Sequence, residues 1–145
     1  MPEKQTLPDG YHNVQPYLMF ADCAKAIAFF TEAFGATERM RMQEDGGGRI
    51  NHAEIQIGDS VVMMADENPA IKAYAPAHYG GSPVSLMIYV EDCDTTYNRA
   101  LAAGATSERE PADQPYGDRM AGILDPFGYK WWIGHPLAKD AEAKR

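Results

Sequence analysis

Apolar positions along this chain change period in a fixed order, and the order occurs twice. Residues 14–20 (Val-Gln-Pro-Tyr-Leu-Met-Phe) are dense in aliphatic and aromatic side chains and predict a strand. Asp22 follows as a helix N-cap, because its carboxylate can accept orphan N–H groups of a first helical turn. Ala26, Ile27, Phe30 and Phe34 then recur at helical spacing, and Gly35 supplies a left-handed stop. Strands are expected over 37–43, 50–57 and 60–65, with Gly46-Gly47-Gly48 as a turn. The order restarts with a strand over 84–90. Asp92 caps a helix carrying Tyr97, Ala100, Leu101 and Ala102, and Gly104 stops it. Strands near 106–109, 119–124 and 129–134 complete the second round, and Asp125-Pro126-Phe127-Gly128 reads as a turn.

The two rounds match residue for residue at their landmarks. Asp22-Cys23 and Asp92-Cys93 lie 70 positions apart, and Gly35-Ala36-Thr37 and Gly104-Ala105-Thr106 lie 69 apart. A repeat of this length implies two similar units. The expected fold class is α+β, with tandem βαβββ modules over 12–65 and 83–136 forming a curved mixed sheet around a cleft. Residues 66–82, rich in Pro, Ala, Gly and Tyr, read as the linker, and 137–145 as a charged tail.

Alternation assigns faces. In 50–57, Ala53, Ile55 and Ile57 share one face, and His52, Glu54 and Gln56 share the other. In the first strand of each unit, Leu18 and Phe20, and then Leu86, Ile88 and Val90, belong with the helix. Gln15, Tyr17 and Met19, and Ser85, Met87 and Tyr89, face away. Met64 is placed on this second face too. Trp131 and Trp132 are neighbours, so one should be core and the other should join the mixed face; we assign Trp132 to it. The expected ligand-binding set is therefore Gln15, Tyr17, Met19, Gln56, Met64, Ser85, Met87, Tyr89 and Trp132. Aromatic faces stack on flat ligands and Met adapts to irregular ones. His52 and Glu54 are the candidate catalytic pair, since Glu beside His can tune a proton transfer near neutral pH.

Composition narrows the partners. The 145 residues hold 21 acidic and 13 basic side chains, a formal net charge of −8. That balance disfavours nucleic acid and anionic membrane, which need clustered Lys and Arg, and favours a small-molecule ligand, flat or cationic. No apolar run approaches the roughly 18 residues of a membrane span. Met1-Pro-Glu-Lys-Gln5 lacks a signal-peptide pattern, and two cysteines make no disulfide framework. A cytoplasmic setting is expected.

The repeated βαβββ plan, the Asp at each helix start, the Gly-Ala-Thr triplets and Asp125-Pro-Phe-Gly-Tyr129 resemble the vicinal oxygen chelate superfamily. This group includes glyoxalase I, extradiol dioxygenases and the fosfomycin and bleomycin resistance proteins. Gly48-Arg-Ile-Asn-His-Ala-Glu54, Ile57-Gly-Asp-Ser-Val61 and Tyr116-Gly-Asp-Arg119 are similar to its PhnB-like branch. The resemblance implies a homodimer. It also implies that metal-dependent members take ligands from the first and last strand of each unit. Those positions here read Gln15, Val62 (Met63 if the alignment slips by one), Ser85 and Trp132. Val and Trp cannot ligate, so the expectation is no metal and no cofactor. The expected function is metal-free small-molecule binding, with sequestration of a toxic compound as one form. The alternative is a lyase, isomerase or dioxygenase-type enzyme, using either a rearranged metal site at Gln15, His52 and Glu54 or a His52/Glu54 acid–base pair.

Overall fold

In a computed structural model, residues 6–138 are described. Most of the tail expected over 137–145 lies outside them; Leu137 is inside and its N–H donates to the Gly117 carbonyl at 2.8 Å.

The described residues divide into two units, one of residues 6–31 and 35–74, the other of residues 32–34 and 75–138. The first contains β1 (Tyr17–Phe20), β2 (Thr37–Gln43), β3 (Ile50–Ile57) and β4 (Ser60–Asp66), with helix α1 (Cys23–Phe34) after β1. Its strands run in the order β1-β4-β3-β2. β1 is parallel to β4, and the other pairs are antiparallel. A short helix α2 (Pro76–Tyr79) precedes the second unit's sheet. That sheet holds β5 (Ser85–Tyr89), β6 (Thr106–Asp113), β7 (Asp118–Leu124) and β8 (Lys130–Pro136), with α3 (Cys93–Ala102) after β5. Its order, β5-β8-β7-β6, repeats the first. The expected α+β class with tandem βαβββ modules is the observed one. No helix among the described residues is long and apolar enough to cross a membrane.

Local chemistry explains the element ends. Asp22 accepts the Lys25 N–H at 3.1 Å, and Asp92 accepts that of Thr95 at 3.2 Å, so both act as N-caps. Gly35 ends α1 at φ 68°, a conformation cheap only for glycine. Both first strands begin later than the apolar pattern suggests, at Tyr17 and Ser85, just after Pro16 and near Pro83. Proline has no N–H for a ladder. β6 is longer than expected, reaching Asp113 through two register shifts. Segment 66–82 is not bare: it holds a 3-10 turn at Pro69–Ile71, an Asn68–Ala73 bridge and α2.

Each unit buries the face predicted from alternation. In the first, Leu18, Phe20, Ala53 and Ile55 are buried, as are Ala26, Ile27 and Phe30 of α1; Val62, which the family pattern put at a ligand position, is instead buried opposite Ile55. The rings of Phe20 and Phe30 meet edge to face at 6.0 Å. In the second, Ile88, Ile123, Trp131 and Ile133 are buried, as are Tyr97 and Ala100 of α3. Asp125 organises the turn before β8. Its carboxylate accepts the N–H groups of Phe127 and Tyr129 and the indole N–H of Trp131, each at 2.9 Å.

One expected site residue falls in the wrong layer. Met64 pairs with Leu18 and Ala53, faces the core with them, and is fully buried. Its neighbour Met63 pairs with Tyr17 and Glu54 and occupies the mixed face. The tight turn from Ile57 to Ser60 shifts the count by one relative to the longer turn before β8, and adjacent strand residues point to opposite faces.

Candidate functional site

In the first unit, the face opposite α1 carries a connected polar network. β3 supplies His52, Glu54 and Gln56 at alternate positions. Glu54 is buried at 5% exposure, yet neither carboxylate oxygen lacks a donor. The Tyr11 hydroxyl donates to Oε1, and His52 Nε2 lies 2.8 Å from Oε2. Arg39 Nε stands 3.6 Å from Oε1. Arg39 reaches this position through the sheet itself. Glu38 pairs with Ile55 and Met40 with Glu54, so Arg39 is the extra residue of a β-bulge. A bulge re-aims a side chain. Arg39 Nη1 also donates to Gln56 Oε1 at 2.8 Å, and its guanidinium lies over the Tyr11 ring at 4.9 Å.

The network has an outer end. From β1, Tyr17 reaches across β4, and its hydroxyl lies 2.7 Å from His52 Nδ1. The two rings sit 5.3 Å apart. Tyr17 is 49% exposed, whereas Glu54 is closed in. Burial pushes the Glu54 pKa up, but hydrogen bonds from Tyr11 and His52 and the charges of His52 and Arg39 outweigh it, holding the carboxyl below its ordinary range. Burial is the main force raising the Tyr17 phenol, and the Glu54 charge adds to it. The Tyr11 phenol is raised first by its bond to Glu54. An ionised carboxylate only accepts, so the hydrogen of His52 that meets Glu54 sits on Nε2; in that tautomer Nδ1 is free to accept from the Tyr17 hydroxyl.

The second unit presents the same positions with different chemistry. Met63 pairs with Tyr17 and Glu54; in the second unit Trp132 pairs with Met87 and Gly122. Met87 thus stands for Tyr17, Trp132 for Met63 and Gly122 for Glu54. Two residues back on the third strand, Met120 stands for His52. The positions that carry the Tyr17–His52–Glu54 chain in one unit hold Met87, Met120 and Gly122 in the other. Met87 and Tyr89 are exposed, and the Tyr89 hydroxyl donates to the buried Asp118 at 3.2 Å. Trp132 is flanked by two cations, with Lys130 Nζ 4.1 Å and Arg109 6.0 Å from its ring. Ser85 is exposed on β5.

Of the residues expected from sequence, the first unit brings Tyr17, His52, Glu54 and Gln56 into one network, and β1 presents Met19 on the same face. Gln15 lies before β1, and its side-chain oxygen accepts the His12 N–H at 2.6 Å. Tyr11 and Arg39 were not legible: one precedes the first strand, and the other is turned by a bulge. The donors that the family pattern assigns to a divalent ion do not fit one. Gln15 is bonded locally, Met63 offers a thioether, Ser85 a neutral hydroxyl and Trp132 no lone pair. In a rearranged set, Gln15 bonds to the His12 N–H and His52 bonds to Tyr17 and Glu54, so a metal there would have to displace these bonds.

Comparison with known proteins agrees with this architecture. The chain is 38% identical over 127 residues to the uncharacterized protein Mb0911c of Mycobacterium bovis, covering 86% of this chain and 83% of that one. It is 40% identical over 124 residues to the anthracycline biosynthesis protein DnrV of Streptomyces peucetius, covering 63% of this chain and 44% of that one. A solved PhnB protein from Bacillus cereus has the same fold at TM-score 0.66 and 18% identity, over 86% of this chain and 99% of that one. The profile of the Glyoxalase/Bleomycin resistance protein/Dioxygenase superfamily matches residues 12–133, and the chain belongs to that superfamily.

Proposed function

We propose that this protein binds a small, flat aromatic molecule without a metal ion. The observation that carries the reading is the replacement of the family's metal donors. Met63 and Trp132 stand on the last strand of each unit, and they suit an aromatic surface rather than a cation. Tyr17, Met19, Gln56, His52 and Glu54 serve on the first unit's face; Ser85, Met87, Tyr89 and Trp132 serve on the second's. The name of the relative DnrV supports the ligand class, since anthracyclines are fused planar ring systems. A cationic ligand is less favoured at Trp132, where it would compete with Lys130 for the ring. The same reading includes a homodimer in the cytoplasm, with sequestration of the ligand as its service to the cell.

Three measurements test it. Elemental analysis after incubation with Ni, Zn, Mn and Fe(II) should find far less than one metal per chain; a stoichiometric metal would overturn the metal-free reading. Equilibrium dialysis against planar dyes and an anthracycline should show saturable retention without turnover. Light scattering should return twice the chain mass, and a monomer would remove the dimer from the proposal.

A further inference from the structure

The strongest unexplained feature is the chain of hydrogen bonds from Tyr17 through His52 to Glu54. Its inner end is closed, since Glu54 is buried and receives Tyr11, His52 and Arg39. Its outer end is a half-exposed phenol. The fold does not require it, because the second unit forms the same sheet with Met87, Met120 and Gly122 at those places. A carboxylate–imidazole–hydroxyl chain, saturated at one end and open at the other, is arranged to move a proton.

We propose that Tyr17, His52 and Glu54 form a proton relay that takes the proton of an acidic hydroxyl, a phenol or an enol, on the bound flat ligand. This rests on the flat-ligand reading above and narrows it to hydroxylated aromatics. The ligand O–H bond breaks, and its electron pair stays on the ligand oxygen. The proton bonds to the Tyr17 oxygen as the Tyr17 proton passes to His52 Nδ1. His52 becomes an imidazolium, held at Nε2 by the Glu54 carboxylate, and the ligand is left as an oxyanion. No oxidant or other reactant is needed.

The surroundings suit this charge pattern. Tyr17 of β1 and Glu54 of β3 face His52, with Arg39 of β2 and Tyr11 of the N-terminal segment behind Glu54. Beside them β4 presents the uncharged Met63, and β2 places Met42 opposite His52. Arg39 offsets Glu54, so the new imidazolium is left to balance the new oxyanion. Tyr17 is the group that touches the ligand, and Glu54 is a positioning residue.

The test uses 1,4-dihydroxyanthraquinone, whose visible spectrum reports ionisation of its hydroxyls. Binding is read by equilibrium dialysis and ionisation by absorbance, with protein raised until the dye is fully bound. At a pH where the free dye is neutral, the bound dye should show the oxyanion spectrum, with its ionisation midpoint at least one pH unit below that of the free dye. Tyr17→Phe and His52→Gln should each return the fully bound dye to its neutral spectrum. Glu54→Gln should move the midpoint upward. Dye that binds but stays neutral in the wild-type protein overturns the relay and leaves the binding reading intact. An oxyanion spectrum that persists in both Tyr17→Phe and His52→Gln overturns it as well. Dye that is not retained at all overturns the flat-ligand reading and the relay with it.

Discussion

Glu54 is the residue on which the first unit's open face depends. Its folded-state pKa lies below the ordinary glutamate value of about 4.3. Its contribution to stability is therefore complete above that value and is lost as pH falls through the lower, folded one. Glu54→Gln should cost about 1–2 kcal/mol at pH 7, because donors from Tyr11 and Arg39 lose a charged acceptor. Urea denaturation at pH 7 and at pH 3 checks this, and an equal cost at both would refute it. Alternation alone placed His52, Glu54 and Gln56 together, since strand side chains alternate strictly. It could not supply Tyr11, which meets Glu54 from 43 residues away, nor Arg39, whose direction comes from an unpaired backbone position. It also chose Met64 over Met63, because a turn one residue shorter or longer inverts every face after it.

Both helix starts use a second acceptor beyond their caps. Asp66 at the end of β4 accepts the N–H groups of Cys23 and Ile50, each at 2.7 Å, so one carboxylate ties α1 to β3. In the second unit His135 Nδ1 accepts the Cys93 N–H at 2.8 Å. Asp66→Ala leaves two inward-facing donors unpaired and should destabilise by about 2–4 kcal/mol. Asp22→Ala removes only a surface cap and should cost about 1 kcal/mol. Chemical denaturation of the two variants would rank them, and a larger loss for Asp22→Ala would contradict the assignment. The caps and the glycine stops are local signals, which is why the elements could be read from the chain. Asp66 gave no such signal, because its partners lie 43 and 16 residues away. The buried cysteines follow the same logic: burial raises the Cys23 thiol to about 12 and the Cys93 thiol to about 11, consistent with packing rather than reactivity.

At the scale of the whole chain, the 70-residue repeat gave both the topology and its duplication. What it could not give was how far the two copies have diverged on their open faces, since register, rather than composition, decides which residues correspond. The units are alike in architecture and unlike in chemistry: where one places Tyr17, His52 and Glu54, the other places Met87, Met120 and Gly122 beside Trp132. Gly134 sharpens the contrast. A Cβ there would collide with the Met120 sulfur, approach the Arg119 carbonyl oxygen at 3.0 Å and the Met87 methyl at 3.1 Å. Gly134→Ala should cost about 1–3 kcal/mol by overpacking, measurable by thermal denaturation. The missing methyl leaves room for two unbranched side chains that can be rearranged without disturbing any hydrogen bond of the first unit. Substitutions that reshape this face should then be easiest there. In a mutant library selected for retention of unfamiliar dyes, changes should gather at Met87 and Met120, while Gly134, Tyr11, Arg39 and Glu54 stay as they are.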